Sequence, residues 1–541
     1  MSHPSSPAVG AERRWWPRAL LLGVALLVAL TFGVTTASVE SSLGPHEARY
    51  DITTDDTVTI DLGPLGTLEI DSPLPLTLGV RVTVQEIPAS VTELNPARTL
   101  AALSGDLQSY LQFFSGPEAT IQDVARALGA QALLRTALAL AVLVGGWYLG
   151  RLLVGAARRA ELHDHVRPHL RSVVVGVVVV ALVGTVLTSS LGRRDRPSVS
   201  QRASTVFDGT PLEGARVTGR LGGVIDTYGG QVVAELRKNE KFYAEANASL
   251  QAAWDERQEL LTARPGPTGT GSPVPSPSEP RDDSDLVTVV VVSDLHCNVG
   301  MAPLIRTVVE GSGADLVLDA GDTTINGTSV EQYCVTTFAR AVPAGVELVT
   351  SPGNHDSAET SKDYARAGAT VLAGSVVEVA GLRILGDSDP NETRVGAGGT
   401  AQAGKESAAD QAQRLADVAC DDADGVDLLL IHTPAVGQPA LDDGCVPAQI
   451  SGHLHRRYGP ERVDDGVRYI SSSTAGATLG QPTVGPLNGV AEMTVLRWDP
   501  DTRRFVDYQL VQVRPDATAT VSPRLRWPGG TAPPAAAPSP V

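Results

Sequence analysis

The chain has 541 residues with 61 acids against 43 bases, a formal net charge of −18, and at roughly 150 residues per domain it should hold three or four units. Only 19% of residues are charged and the mean hydropathy is close to zero, so long apolar segments must offset the acidity. An ordinary cytosolic enzyme, a disordered acidic tail and a basic nucleic-acid binder are all disfavoured.

In chain order, residues 1–18 carry Arg13, Arg14 and Arg18 and read as a cytoplasmic N-terminus. Apolar runs at 19–37, 136–155 and 172–190 each approach the roughly 20 residues that cross a bilayer core, so three transmembrane helices are expected. The intervening loop 156–171 holds Arg158, Arg159, Arg167 and Arg171 and is therefore placed in the cytoplasm. Residues 38–135 and everything from 191 onward then face outward, although Arg193, Arg194 and Arg196 stand on that outer side. Thr35–Ala37 also reads as the end of a cleaved signal peptide, which would leave the sidedness unchanged.

Within 38–135, residues 45–90 alternate apolar and polar positions between Gly-Pro and Pro-rich breaks, the pattern of a small β-rich exported domain. Residues 96–131 look helical and lead into the second span. The region 191–263 is expected as an extracytoplasmic helical stalk. Its helix at 229–263, with Glu235, Arg237, Lys238, Glu240 and Lys241 on a mixed-charge face, is read as a solvated helix in preference to a lid. Residues 264–285 are rich in Pro, Ser and Gly and have the composition of a flexible linker. The tail 516–541 is expected to be disordered.

Between these, residues 286–515 change texture to strands alternating with helices. "LVTVVVVSD" is a continuous apolar run ending in Asp, as in a strand buried on both faces. "ADLVLDAGD", "VELVTSPGN", "LRILGDS", "DLLLIHT", "AQISGHLH" and "VRYISSS" are further strands, and residues 489–513 form a closing hairpin. Polar residues stand where these strands run out: Asp294-Leu295-His296, Gly321-Asp322, Gly353-Asn354-His355-Asp356, His432 and Gly452-His453-Leu454-His455. Side chains at the carboxyl ends of neighbouring strands converge on one crevice. In D-x-H and H-x-H, an extended chain would point both outer side chains the same way. Glycines before Asp322, Asn354 and His453 suit tight turns.

Five of the ten histidines lie beyond residue 290, and all five belong to this set. A lone histidine is usually structural; an ordered set without strays is not. Asp, His and Asn are donors suited to manganese, iron or zinc. Two carboxylates, four imidazoles and one amide exceed the needs of one ion, whereas two ions about 3.5–4 Å apart would use them all.

These ordered motifs resemble the calcineurin-like metallophosphoesterase superfamily, whose pattern is D-x-H, G-D-x-x-[D/N], G-N-H-[D/E], H and G-H-x-H. The resemblance covers 286–515 and implies a four-layer α/β/β/α sandwich with a dinuclear site. It implies that Asp294, His296, Asp322 and His455 bind one divalent ion, and that Asp322, Asn354, His432 and His453 bind the other, with Asp322 as the bridge. It also implies attack of a metal-bound hydroxide on phosphorus, with His355 stabilising the transition state or protonating the leaving oxygen. Asn326 is read as standing where many relatives have Asp, with Asp356 as a compensating charge for His355. Arg456, just after His455, is a candidate grip for a substrate phosphate.

All four cysteines lie in this half, and four cysteines allow three pairings. Pairing near neighbours, Cys297–Cys334 and Cys420–Cys445, is preferred over four free buried thiols. The expectation is a membrane-anchored, extracytoplasmic, dinuclear phosphoesterase that resembles bacterial cell-surface members of the family. Its partners would be the lipid bilayer and a phosphomonoester or phosphodiester. No nucleic-acid partner is expected, because residues 286–515 carry 30 acids against 16 bases. The alternative is a non-catalytic phosphoesterase-like sensor or scaffold, whose sign would be a missing ligand, and none is missing.

Overall fold

The structure is a computed structural model that describes residues 16–85, 118–155, 203–262, 285–478 and 486–529, apart from short stretches within those ranges. Two units emerge, one taking in residues up to 41, 48–85 and 121–227, the other chiefly residues 228–541.

The first unit holds α1 (Trp16–Thr36), most of α2 (Glu118–Leu153) and a sheet. Its strands are β1 (Ser38–Leu43), β2 (His46–Thr53), β3 (Thr57–Asp61), β4 (Thr67–Asp71), β5 (Gly79–Val84) and β6 (Arg216–Val217), in the order β1-β2-β5-β3-β4-β6. The alternating stretch after residue 45 therefore forms strands as its period predicts. The two-residue β6 lies in a region expected to be wholly helical, and it is recruited by pairing with β4. α1 packs on α2 through a close approach at Gly33, where a Cβ would stand 2.1 Å from Thr136 Oγ1. The Arg135 guanidinium donates to the Thr36 carbonyl, satisfying an orphan acceptor at the end of α1.

Thr120–Leu153 is the one helix among the described residues that is long and apolar enough to cross a bilayer, and Leu21–Thr36 is a shorter apolar helix. Leu133, Leu138, Val142, Leu152 and Leu153 of α2 are exposed. Three spans are thus not what the described residues contain. The expected span 136–155 is the distal part of a longer helix, while 172–190 and the loop 156–171 lie almost wholly outside the described residues, as does the linker 264–285.

The second unit contains two sheets. The first is built from β7 (Val287–Val292), β8 (Leu316–Asp319), β9 (Glu347–Thr350), β10 (Thr370–Val371), β19 (Ala491–Asp499), β20 (Arg504–Val513), β21 (Ala519–Val521) and β22 (Leu525–Arg526). Its order is β10-β9-β8-β7-β19-β20-β21, with β22 beside β20. The second consists of β11 (Val377–Val379), β12 (Leu382–Leu385), β15 (Leu428–Leu430), β16 (Ala448–Ser451), β17 (Tyr458–Val463) and β18 (Gly466–Ile470), ordered β11-β12-β15-β16-β18-β17. A short hairpin, β13 (Asn391–Arg394) and β14 (Gly399–Gln402), stands apart from both.

β7, β8 and β9 are parallel, as are β12, β15, β16 and β18. One core joins the sheets: Val289, Val291, Leu316, Leu318 and Val349 from the first share it with Ile384, Leu428, Leu430, Ile450 and Tyr469 from the second. α7 (Ala408–Asp421) and α8 (Pro434–Asp442) cover the second sheet with Leu415, Ala416, Val436 and Leu441. α4 (Ala302–Ser312), α5 (Gln332–Ala341) and α6 (Ala358–Arg366) complete the helices of this segment. Local chemistry sets their ends. Ser357 caps α6 by accepting from Glu359 N and Thr360 N, and left-handed Gly313 closes α4.

Two boundaries need correction. α3 (Gly230–Thr262) is not a solvated helix: Val233, Phe242, Tyr243, Ala246, Leu250 and Trp254 are buried. It docks through Tyr243 Oη to Asn298 Oδ1 (2.8 Å), Trp254 Nε1 to the Gly311 carbonyl (2.8 Å) and Arg257 to the Val521 carbonyl. The apolar stripe wins because its partner surface, α4 and β21, lies far along the chain. The far end is also ordered beyond 515, since β21 and β22 extend the sheet and Trp527 enters the core at 2% exposure. Removing the Trp254 ring should destabilise this unit by about 3–5 kcal/mol. Circular dichroism of Trp254→Ala during urea unfolding should show an earlier transition, and an unchanged one would mean that α3 is not integral.

Candidate metal centre

Every ligand expected from the sequence follows the carboxyl end of a parallel strand: Asp294 and His296 after β7, Asp322 after β8, Asn354 after β9, His432 after β15, His453 and His455 after β16. The local geometry differs from the expected one. Asp294, His296, Asp322, His453 and His455 have φ of 53°, 41°, 60°, 73° and 53°, so D-x-H and H-x-H are left-handed bends rather than extended strands. Each such residue costs roughly 1–2 kcal/mol, the kind of local strain that concentrates at functional sites. The glycines also act differently from a simple turn. A Cβ on Gly353 would lie 2.2 Å from Asp322 Oδ1, and one on Gly452 would lie 1.9 Å from Ser293 Oγ. Only glycine lets these loops come so close.

The side chains assemble into two groups, Asp294, His296, Asp322 and His455 in one and Asp322, His432 and His453 in the other, with donor atoms in each within 4.8 Å of one another. Asp322 belongs to both. His296 Nε2 faces His455 Nε2 at 3.0 Å, and His455 Nε2 lies 3.4 Å from Asp294 Oδ1. In the second group, His432 Nε2 is 3.1 Å from Asp322 Oδ2 and 3.1 Å from Asn354 Oδ1, which is itself 2.8 Å from His453 Nδ1.

The donor set fits divalent cations. His432 Nδ1 bonds the Ala320 carbonyl at 2.7 Å; a carbonyl only accepts, so Nδ1 carries the proton and Nε2 faces two oxygens. Asn354 Nδ2 donates to Thr393 Oγ1 at 2.8 Å, which aims Oδ1 at the imidazoles. Burial drives His296 down to about 3 and His455 to about 4, so both are neutral donors at physiological pH. Burial lifts Asp294 to about 7. Asp322 is equally buried, yet His432 and His296 hold it well below the usual carboxylate range. Burial opposes charge on His432 too, but the Asp322 carboxylate raises it well above an ordinary histidine. Positive charge beside Asp322 is what this pocket stabilises, and a metal cation meets that demand.

His355 lies edge-on to His296, with ring centroids 4.9 Å apart, and its main-chain N–H donates to Asp322 Oδ1 (2.8 Å). Its Nδ1 bonds the Ile325 carbonyl at 2.7 Å. Neither carboxamide nor carboxylate orients it as the sequence suggested. The fifth position of the Gly321 block is Ile325, one residue before Asn326. Asp356, buried and pushed up to about 6, instead accepts from the main-chain N–H groups of Asp322, Thr323, Thr324 and Gly353. Arg456 stacks 5.0 Å over the Tyr458 ring and donates to its hydroxyl (3.1 Å).

The sulfur atoms of Cys297 and Cys334 are bonded, as are those of Cys420 and Cys445. Sequence reasoning missed Thr393 and Arg394. Thr393 N–H donates to the Asn354 carbonyl (2.7 Å) and the Arg394 guanidinium to the carbonyls of His355 and Asp356. Nothing in "NETR" marks a hairpin that will reach a distant loop.

Residues 287–457 match the sequence profile of the calcineurin-like phosphoesterase family, a segment of about a third of the chain that contains all seven candidate ligands. They form a calcineurin-like metallophosphoesterase domain. No curated protein is significantly similar to the chain. Among solved structures, it is similar to a novel archaeal phosphodiesterase, at 13% identity over 42% of this chain and 100% of that one, with a TM-score of 0.27. A novel phosphatase from Mycoplasma pneumoniae is similar at 12% identity over 42% and 94%, TM-score 0.30. A sulfate thiohydrolase from Thermus thermophilus is similar at 16% identity over 46% and 58%, TM-score 0.28.

Proposed function

We propose that the protein is a membrane-anchored, extracytoplasmic, dinuclear metal-dependent phosphoesterase with a four-layer α/β/β/α catalytic sandwich. The observation that carries this reading is the pair of ligand groups sharing buried Asp322 at the ends of strands from both sheets. Asp294, His296, Asp322 and His455 would hold one divalent ion, and Asp322, Asn354, His432 and His453 the other. Bound there, two such ions would supply an activated water and positive charge against the phosphoryl oxygens. The chain's own part is to fix the geometry. Asp322 joins the two groups, Thr393 keeps the Asn354 oxygen turned inward, and His355 presents Nε2 for a proton to the leaving oxygen. Water adds to phosphorus and gives up a proton to solvent as the P–O ester bond breaks. The alcohol departs with an Nε2 proton that His355 carries in addition to the Nδ1 proton held by the Ile325 carbonyl.

Localisation outside the cytoplasm is supported by two disulfides with no free cysteine among the described residues, since such bonds persist in oxidising compartments. Anchoring is supported by the exposed apolar surface of α2. The substrate would be a phosphomonoester or phosphodiester outside the membrane; the acidic catalytic segment makes nucleic acid a poor fit.

The test uses the full chain in detergent, stripped of metal and reloaded with manganese, iron(II) or zinc. It should hydrolyse p-nitrophenyl phosphate or the bis-p-nitrophenyl diester only when reloaded. A metal-replete protein inert on a broad phosphoester panel would sink the enzyme reading.

A further inference from the structure

We propose that Glu331 is a positioning residue for His355, acting through the single peptide plane between Ile325 and Asn326; the proposal rests on the function given above. His355 has a main-chain carbonyl, that of Ile325, on Nδ1. A carbonyl orients an imidazole only if its own peptide is held. The trans peptide is planar, so the Ile325 C=O and the Asn326 N–H point in opposite directions from one rigid unit. Holding one aims the other.

Glu331 holds it. Its carboxylate is buried and accepts from Ile325 N (2.8 Å), Asn326 N (3.1 and 3.2 Å), Thr328 N (2.8 Å) and Thr328 Oγ1 (2.9 Å). The opposite side of the loop is pinned to the histidine's own segment, with Thr324 Oγ1 on the His355 carbonyl (3.0 Å) and Ser357 Oγ on the Gly327 carbonyl (2.5 Å). Gly327, at φ 61°, has no room for a Cβ, which would stand 2.8 Å from Ser357 Cβ. The loop is therefore gripped on both sides, and the grip keeps one proton on His355 Nδ1 and leaves Nε2 as the nitrogen that takes up and delivers the proton of the reaction. Glutamine cannot replace the carboxylate, because its NH₂ would face hydrogen-bond donors.

Glu331→Gln in the full metal-loaded chain is expected to lower kcat by about tenfold or more, the range of an outer residue that orients a functional one. KM and the content of two metals should stay unchanged. The loss should be larger for an alkyl phosphate, whose leaving oxygen needs a proton, than for p-nitrophenyl phosphate. Hydrogen exchange at Ile325, Asn326 and Thr328 should accelerate, and the His355 ¹⁵N signals should shift from one tautomer to a mixture. Thr328→Val, which removes one donor to the same carboxylate, should show the same pattern more weakly and serves if the glutamine variant does not fold. Equal losses on both esters, loss of metal, or an unchanged His355 tautomer would overturn the assignment. A wild type inert on both esters would count against the proposed function instead, and the exchange and ¹⁵N measurements would then decide this assignment alone.

Discussion

Asp322→Ala should lose both metals together, whereas alanine at any ligand confined to one group should weaken one ion first. Asp322 alone belongs to both ligand groups, and its Oδ2 lies 3.1 Å from His432 Nε2. Metal ions contribute several kcal/mol of charge stabilisation in such reactions, and about 1.4 kcal/mol is tenfold in rate, so turnover should fall by roughly a thousandfold or more. Asp322 Oδ1 also accepts the His355 main-chain N–H, so alanine disturbs the loop as well as the charge. Asp322→Asn separates these effects, since its carbonyl oxygen can keep that bond without the negative charge. Elemental analysis after gel filtration, paired with calorimetric titration of manganese, gives the readout. Two metals retained at wild-type affinity in both variants would refute the shared-ligand arrangement.

The second large effect belongs to His355. His355→Ala should retain both metals, because the imidazole is in neither ligand group, yet lose roughly a hundred- to ten-thousandfold in kcat, as for a general acid. The deficit should shrink as the leaving group becomes a better anion. Full activity on every leaving group would remove His355 from the chemistry. Loss of metal in this variant would instead recast it as a structural support.

The candidate site residues were legible because their signal is local and ordered. Asp294 to His455 occur in blocks at the ends of apolar runs, and each run proved to be a strand. What escaped the sequence depends on partners distant along the chain. Trp254 and Tyr243 sit among the charges of α3, and only Gly311 and Asn298 reveal their buried side. Two-residue β6 has no pattern of its own and exists by pairing with β4. The left-handed bends at five candidate ligands were equally hidden, because Asp and His do not advertise positive φ as glycine does. Glu331 belongs to no motif in the sequence; its burial follows from the loop that folds over it.

The docking of α3 alters what the Pro-rich segment 264–285 can be. Both of its flanks, Thr262 and Val287, end elements of the same unit, so in sequence it connects two parts of that unit and not two units. The last stretch of the first unit in the sequence ends just before α3, at residue 227. A protease that nicks 264–285 should therefore leave two pieces held together by Tyr243, Trp254 and Arg257. On the anchoring proposed above, release from a membrane would require a cut upstream of α3.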